Sequence, residues 1–284
     1  MCKKVSIMKD QLQFEDIKKL AYGVLENFKS VCERNDIYYI LSFGTALGAV
    51  RHNGFIPWDD DIDVCVFRKD YQKLIEAYAK EKDSRYRLVS TEVDANYSLP
   101  HMKIIDTSTV LYQAGRRNNY PLGVWIDVFA LDNVPDNLRE RKKYIKKLER
   151  YQAIWSALEY ERKKRSSSPK TAFKSIILSL ISAYFGNNSR NVAIKLEKLA
   201  KRYEYDNTRE AGVLPFFPYD RNKSIFPKEL LENSVDQKFE NDLFPIPKDY
   251  DSYLTHIYGD YMKLPPIEKQ ITHHGYTVSY VGTK

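Results

Sequence analysis

From Gln11 to Glu33, apolar side chains fall at Leu12, Ile17, Leu20, Ala21, Val24, Leu25, Phe28, Val31 and Cys32. That spacing lines one face of a helix, so an amphipathic helix is predicted there. "DIYYILSF" follows as a short, β-rich buried strand that Gly44 ends. "TALGAVRHNG" reads as a helical turn or short helix closed by Gly54, "FIPW" as a loop, and "DIDVCVF" as a second strand. "RKDYQKLIEAYAKE" returns to helical period, with Tyr71, Leu74, Ile75 and Tyr78 on one side. "LPHMKIID", "TVLYQ" and "VWIDVFALD" read as three further strands.

Helices interleaved with strands up to about Val134 predict an α/β (α+β) core, a mixed sheet flanked by helices, over residues 1–135. The pattern then changes. A basic helix is expected over 139–161, carrying Tyr144, Leu148, Tyr151, Ile154, Trp155 and Leu158. "RKKRSSSPK" is a polar break, and "TAFKSIILSLISAYFG" is apolar but too short to cross a bilayer. Residues 136–190 therefore read as a basic and apolar insertion, for a membrane surface or for binding the acceptor. The rest, 191–284, reads as a mainly helical and loop region that runs through Pro- and aromatic-rich turns to "YGDYMKLPP" and "HH" and is expected to complete the active site.

Charge sharpens this division. The chain carries a net +7, yet Arg139 to Lys174 alone hold thirteen Lys or Arg against four Glu, a surplus of nine that leaves −2 for the remainder. Basicity confined to one segment argues against a nucleic-acid partner. A basic helix beside a short apolar stretch suits the surface of an anionic membrane; the alternative is that the apolar stretch, 171–186, is a core helix of a second unit. Cys2, Cys32 and Cys65 form no CxxC pair, and "MCKKVSIMKD" lacks the apolar stretch of a signal peptide, so a cytoplasmic protein is expected.

Against that background the acids of "WDDDIDVCVF" stand out, because like charges at contact distance disfavour joint ionisation. On a strand, alternate residues share a face, so Asp61 and Asp63 project together with Cα atoms roughly 7 Å apart. Two such carboxylates converge well on Mg²⁺ or Mn²⁺, which in turn implies a phosphate ligand. Asp127, the lone charge within "VWIDVF", is the expected third acid, since a buried unpartnered Asp costs several kcal/mol. Asp132 is the weaker alternative. A bare DxD is often only an acidic turn; here a strand and Gly-Thr precede it, a strand carries it, and a strand-borne Asp follows.

That order resembles the nucleotidyltransferase superfamily pattern, with Gly44 and Thr45 as its first element and both as phosphate-binding residues. "GTALGAVRHNGFIPWDDDIDV" closely resembles the signature of the LicD family, which includes bacterial phosphocholine transferases and is related to fukutin-type transferases. "WIDVFALD" is similar to its second motif, and "IPKDYDSYLTHIYGDYMKLPP" followed by "HH" to its C-terminal motif. The resemblance implies metal-dependent transfer of a phospho-alcohol, phosphocholine first, from CDP-choline to a hydroxyl of a cell-surface glycan or teichoic acid precursor, with release of CMP. The alternative is a nucleotidyltransferase adding a nucleoside monophosphate to a small molecule.

Within that reading Asp61, Asp63 and Asp127 hold the metal, and Asp127 or one of His273 and His274 takes the proton of the attacking hydroxyl. Arg51, His52 and Lys103 are candidate phosphate contacts. Trp58 and Trp125, close to the acids in sequence, are candidate walls for a quaternary ammonium, which is drawn to aromatic faces. The acceptor is expected to be lipid-linked, with peripheral contact to an anionic membrane.

Overall fold

The computed structural model describes residues 11–81, 85–113, 115–118, 120–160, 183–186, 188–215, 221–272 and 275–282. His273, His274 and most of the apolar stretch 171–186 lie outside the described residues.

In chain order the first part contains α1 (Phe14–Arg34), β1 (Tyr39–Leu41), α2 (Phe43–His52), β2 (Asp63–Phe67), α3 (Arg68–Lys80), β3 (Tyr86–Val89), β4 (Met102–Asp106), β5 (Thr109–Gln113), β6 (Trp125–Val134) and α4 (Leu138–Glu159). The second part adds α5 (Ser189–Ala200), β7 (Glu210–Val213), β8 (Ile225–Pro227), α6 (Lys228–Glu232), β9 (Ser234–Phe239), β10 (Asp242–Pro247), α7 (Tyr250–Tyr258) and β11 (Tyr276–Tyr280). The mixed α+β class expected from the pattern is what is found.

One seven-stranded sheet organises the molecule, with β1-β2-β6-β4-β3 in a row and β7 and β8 continuing from β6. Only the β2–β6 pair in it is parallel. β6 is the axis: its first half pairs with β4, its last four residues pair with β7, and β2 runs along its other edge. Every residue of β6 after Trp125 is buried, which is why the segment reads as a nearly continuous apolar run. α1 packs on this sheet through Val24, Leu25, Phe28 and Val31, all fully buried. Its first turn carries Glu15 and Asp16 and its last turn Arg34, a charge order that complements the helix dipole.

Three differences from the sequence reading bear on function. Among the described residues, those beyond 191 supply five strands beside their helices, and β7 and β8 join the sheet of the first part. Their strands are short and Pro- or charge-broken, which hides the period. β1 stops at Leu41, and Gly44 and Thr45 lie in the first turn of α2 instead of at a strand end. Phe43 makes that corner in a left-handed conformation, φ 48°, which costs a residue with a Cβ roughly 1–2 kcal/mol. Full burial of its ring and a 3.3 Å hydrogen bond from its N–H to the Tyr253 hydroxyl hold it there. Finally, β2 starts at Asp63, so Asp61 precedes the strand.

Candidate active site

Asp63 opens β2 directly opposite Asp127 on β6, and Asp127 lies opposite Lys103 on β4. Residues in register on neighbouring strands share a face, about 5 Å apart, so an acid, an acid and a cation stand in a row at one end of the sheet. The ladder reaches one residue before β2, because the Asp127 N–H is donated to the Ile62 carbonyl at 2.8 Å. That bond brings the preceding Asp61 to the same place. Together they line a pocket of about 290 Å³, whose walls include His101, Arg116, Trp125, Trp155 and Tyr160.

Asp127 is held by three of its neighbours. Lys103 Nζ donates to Oδ1 at 2.5 Å, His101 Nε2 shares a 2.8 Å hydrogen bond with the same oxygen, and Trp125 Nε1 donates to Oδ2 at 2.9 Å. Burial alone would raise its pKa, but Lys103 and His101 more than reverse this and hold the carboxyl well below the usual range. Burial lowers the pKa of Lys103 against the pull of Asp127, and the ammonium also sits 4.0 Å from the Trp125 ring centre. Burial likewise lowers His101.

Asp63 is the opposite case. Burial, then the charges of Asp61, Asp127 and Asp59, push its pKa well above the ordinary carboxylate value, with only Lys103 opposing. Two neighbours fix its backbone: its N–H is donated to Thr45 Oγ1 at 2.8 Å and its carbonyl accepts the Ser42 N–H at 2.9 Å. The acid loop is tied from the far end of the chain, where the Tyr276 hydroxyl donates to Asp60 Oδ2 at 2.6 Å and its ring leans on Trp125 at 5.3 Å.

Among the described residues, no group of three or more His, Cys, Asp and Glu side chains is arranged to hold a metal ion. The two oxygens of Asp127 already accept from Lys103, His101 and Trp125. The donor chemistry nevertheless fits a divalent cation. Asp61 and Asp63 offer hard oxygens, and Asp63 carries a repulsion that a cation relieves.

Of the residues named from sequence, the structure gathers Asp61, Asp63, Asp127, Lys103 and Trp125 around the pocket. It does not bring Gly44, Thr45, Arg51, His52 or Trp58 to its walls. Thr45 is buried and its hydroxyl accepts from the Asp63 N–H, which ties it to the acid strand. Gly44 lies against the acid loop, where a Cβ would stand 3.2 Å from Asp59 Oδ2. Arg51 donates to the Tyr261 carbonyl at 2.7 Å and to His52 Nε2 at 2.9 Å, and the His52 ring meets Trp58 edge-on at 6.3 Å. The signature is thus largely consumed in building the turn that presents the acids. Gly48 shows why its small residues matter: a Cβ there would stand 2.4 Å from the Gly54 carbonyl oxygen.

Asp132 lies off the pocket walls and is gripped by Arg68, whose Nε and Nη2 each donate to it at 2.7 Å. Sequence reasoning missed His101 and Arg116 as site residues. The first was legible, because "HMK" puts His101 and Lys103 two apart on one strand face. Arg116 sits in a polar loop with no periodicity to mark it.

The match to known proteins follows the same residues. The family model described as "LicD/FKTN/FKRP, nucleotidyltransferase domain" covers residues 36–155, from before β1 into α4. A lipopolysaccharide cholinephosphotransferase LicD of Haemophilus influenzae is 32% identical over 276 residues, which is 96% of this chain and 97% of that protein. This chain belongs to the LicD family. Shorter matches reach uncharacterized proteins of Rickettsia typhi, 32% identical over 72 residues (25% of this chain, 23% of that protein), and Rickettsia prowazekii, 41% over 49 residues (17% and 18%). As a LicD homologue it is a transferase by descent, and the first expectation drawn from its signature is met. Among the described residues no helix is long and apolar enough to cross a membrane.

Proposed function

We propose that this LicD-family chain transfers phosphocholine from CDP-choline to a hydroxyl of a lipid-linked, lipopolysaccharide-type glycan, releasing CMP. The observation that carries the reading is the row Asp63, Asp127 and Lys103 with Asp61 beside it, in a pocket of a chain that matches a cholinephosphotransferase nearly end to end. In the reaction the acceptor oxygen attacks the phosphorus distal to the nucleoside, the bond to the bridging oxygen breaks, CMP leaves with that electron pair, and the hydroxyl proton passes to a base.

The residues divide this chemistry between them. Asp61 and Asp63 would hold Mg²⁺ or Mn²⁺, which supplies neutralisation of the diphosphate and of charge on the departing CMP. Asp127, held ionised by Lys103, His101 and Trp125, anchors Lys103 at the head of the row. A carboxylate so far below the usual range is a weak base. That argues against Asp127 as the proton acceptor and leaves the role to His273 or His274. Trp125, one of whose faces already carries an ammonium, is the aromatic surface we assign to the choline head. A lipid-linked acceptor would bring this chain to the cytoplasmic face of an anionic membrane.

Incubating the protein with Mg²⁺ and a panel of CDP-alcohols, and scoring CMP, tests the proposal. CMP release is expected with CDP-choline, lost with a chelator and restored by Mg²⁺. Asp61→Asn and Asp63→Asn should each reduce it by about 10²–10³ or more while leaving the fold intact. Pyrophosphate release from CTP and phosphocholine, with no CMP from any CDP-alcohol, would replace this reading with nucleotidyl transfer.

A further inference from the structure

Besides Lys103 and His101 the pocket holds a third basic side chain, and the reaction above gives it no role. Arg116 lies in the loop between β5 and β6. Its backbone bridges to Tyr160, and the Arg117 N–H is donated to the Glu159 carbonyl at 2.8 Å, so the loop is fixed to the C-terminal end of α4. The side chain lines the pocket yet is only 6% exposed. Nε and Nη2 both donate to Glu159 Oε1, at 2.8 and 2.6 Å. Glu159 is fully buried, and its other oxygen accepts from Ser98 Oγ at 2.8 Å. The carboxylate is thereby a bracket that sets the plane of the guanidinium.

One edge of that guanidinium is left over. Nη1 bonds to no protein group among the described residues, and it is not sealed from solvent. Lys103 and His101 are different, because both are turned onto Asp127. Arg116 is also close enough to both to disfavour their charged forms, so the three basic groups share one region of the pocket. A phosphate-bearing molecule entering among Asp61, Asp63 and Asp127 meets three carboxylates, and a permanently charged planar donor held at a fixed angle is the protein group suited to offset them.

We propose that Arg116 is an anion-binding residue of this pocket, its Nη1 edge taking a phosphoryl oxygen of a phosphate-bearing substrate, with Glu159 as its positioning partner. The identity of that substrate, a nucleoside diphosphate donor, rests on the proposed function; the anion site does not. The same arrangement draws α4 into the site. Trp155 and Tyr160 line the pocket from the end of that helix, and Glu159 holds Arg116 from beside them.

Calorimetric titration of the full chain with inorganic pyrophosphate, and separately with CDP, both in Mg²⁺, tests this without requiring turnover. Arg116→Gln alone would strand the buried Glu159, so the main variant is Arg116→Gln with Glu159→Gln, which removes both charges together. Wild type should bind both probes, the double variant should bind them about 10- to 100-fold more weakly, the loss of one charged hydrogen bond, and Arg116→Lys should fall between. In CMP release the loss should appear mainly in KM for the donor. No measurable binding of either probe to wild type would overturn the proposal. So would affinity within twofold of wild type in either variant with a normal melting transition. Arg116-dependent pyrophosphate binding in a protein that releases no CMP from any CDP-alcohol would sink the phosphocholine reading and leave the anion site standing.

Discussion

Replacing Lys103 with Met tests the electrostatics of the whole site. Met keeps the length and apolar stem of the side chain and removes the ammonium, so the change isolates one charge. In the wild type that charge is buried, 2.5 Å from Asp127 Oδ1 and opposite it in the β4–β6 register. Breaking a buried pair by deleting one partner costs about 3–5 kcal/mol, because the other charge stays buried without its counter-ion. His101 and Trp125 still donate to Asp127, which puts the expectation at the lower end, near 3 kcal/mol. For a chain of this size that is a fall in Tm of roughly 6–12 °C. The sign with pH follows from Asp127. Its folded pKa is depressed, so it contributes stability that is present above the unfolded value near 4 and is lost as pH falls toward the folded value. Without Lys103 much of that depression goes. The gap between wild type and variant should be widest near pH 7 and should narrow as pH is taken from 5 to 3. Urea unfolding followed by near-ultraviolet circular dichroism, in chelator so that no divalent cation replaces the ammonium, reads both quantities. A variant within 1 kcal/mol of wild type at pH 7, or a gap that is the same at pH 3, would refute the claim that this pair is what keeps Asp127 ionised.

Other substitutions separate architecture from chemistry. Asp132→Asn should cost about 3–5 kcal/mol in chemical unfolding, since it strands the buried Arg68 guanidinium, while CMP release per folded molecule stays near wild type; lost activity at unchanged stability would return the third-acid role to Asp132. Gly48→Ala forces a Cβ against the Gly54 backbone carbonyl, which cannot swing aside, and a loss of about 1–3 kcal/mol is expected in thermal unfolding. Thr45→Val leaves the Asp63 N–H without its acceptor, at a cost of about 1–3 kcal/mol, and turnover should fall with the loosened acid; unchanged turnover would mean Thr45 does not position Asp63.

The acids and the family are visible in the order of residues alone. "DDDIDV" and the lone Asp in "WIDVF" are conspicuous because charge in or beside an apolar strand is costly, and that cost is written in one dimension. The helices α1 and α3 were legible for a similar reason, since a 3.6-residue period is a local property. Pairing between distant segments is not local, and it emerges only in the folded chain. No period says that β2 lies parallel to β6 with Asp63 level with Asp127, that Lys103 meets the same carboxylate from β4, or that Arg68 claims Asp132. Nor could local pattern show that Thr45 turns back onto Asp63, or that Glu159, at the end of a basic helix, reaches across to aim Arg116. Register and counter-ion choice depend on which strands become neighbours, and that is settled by burying the two faces of one sheet all at once.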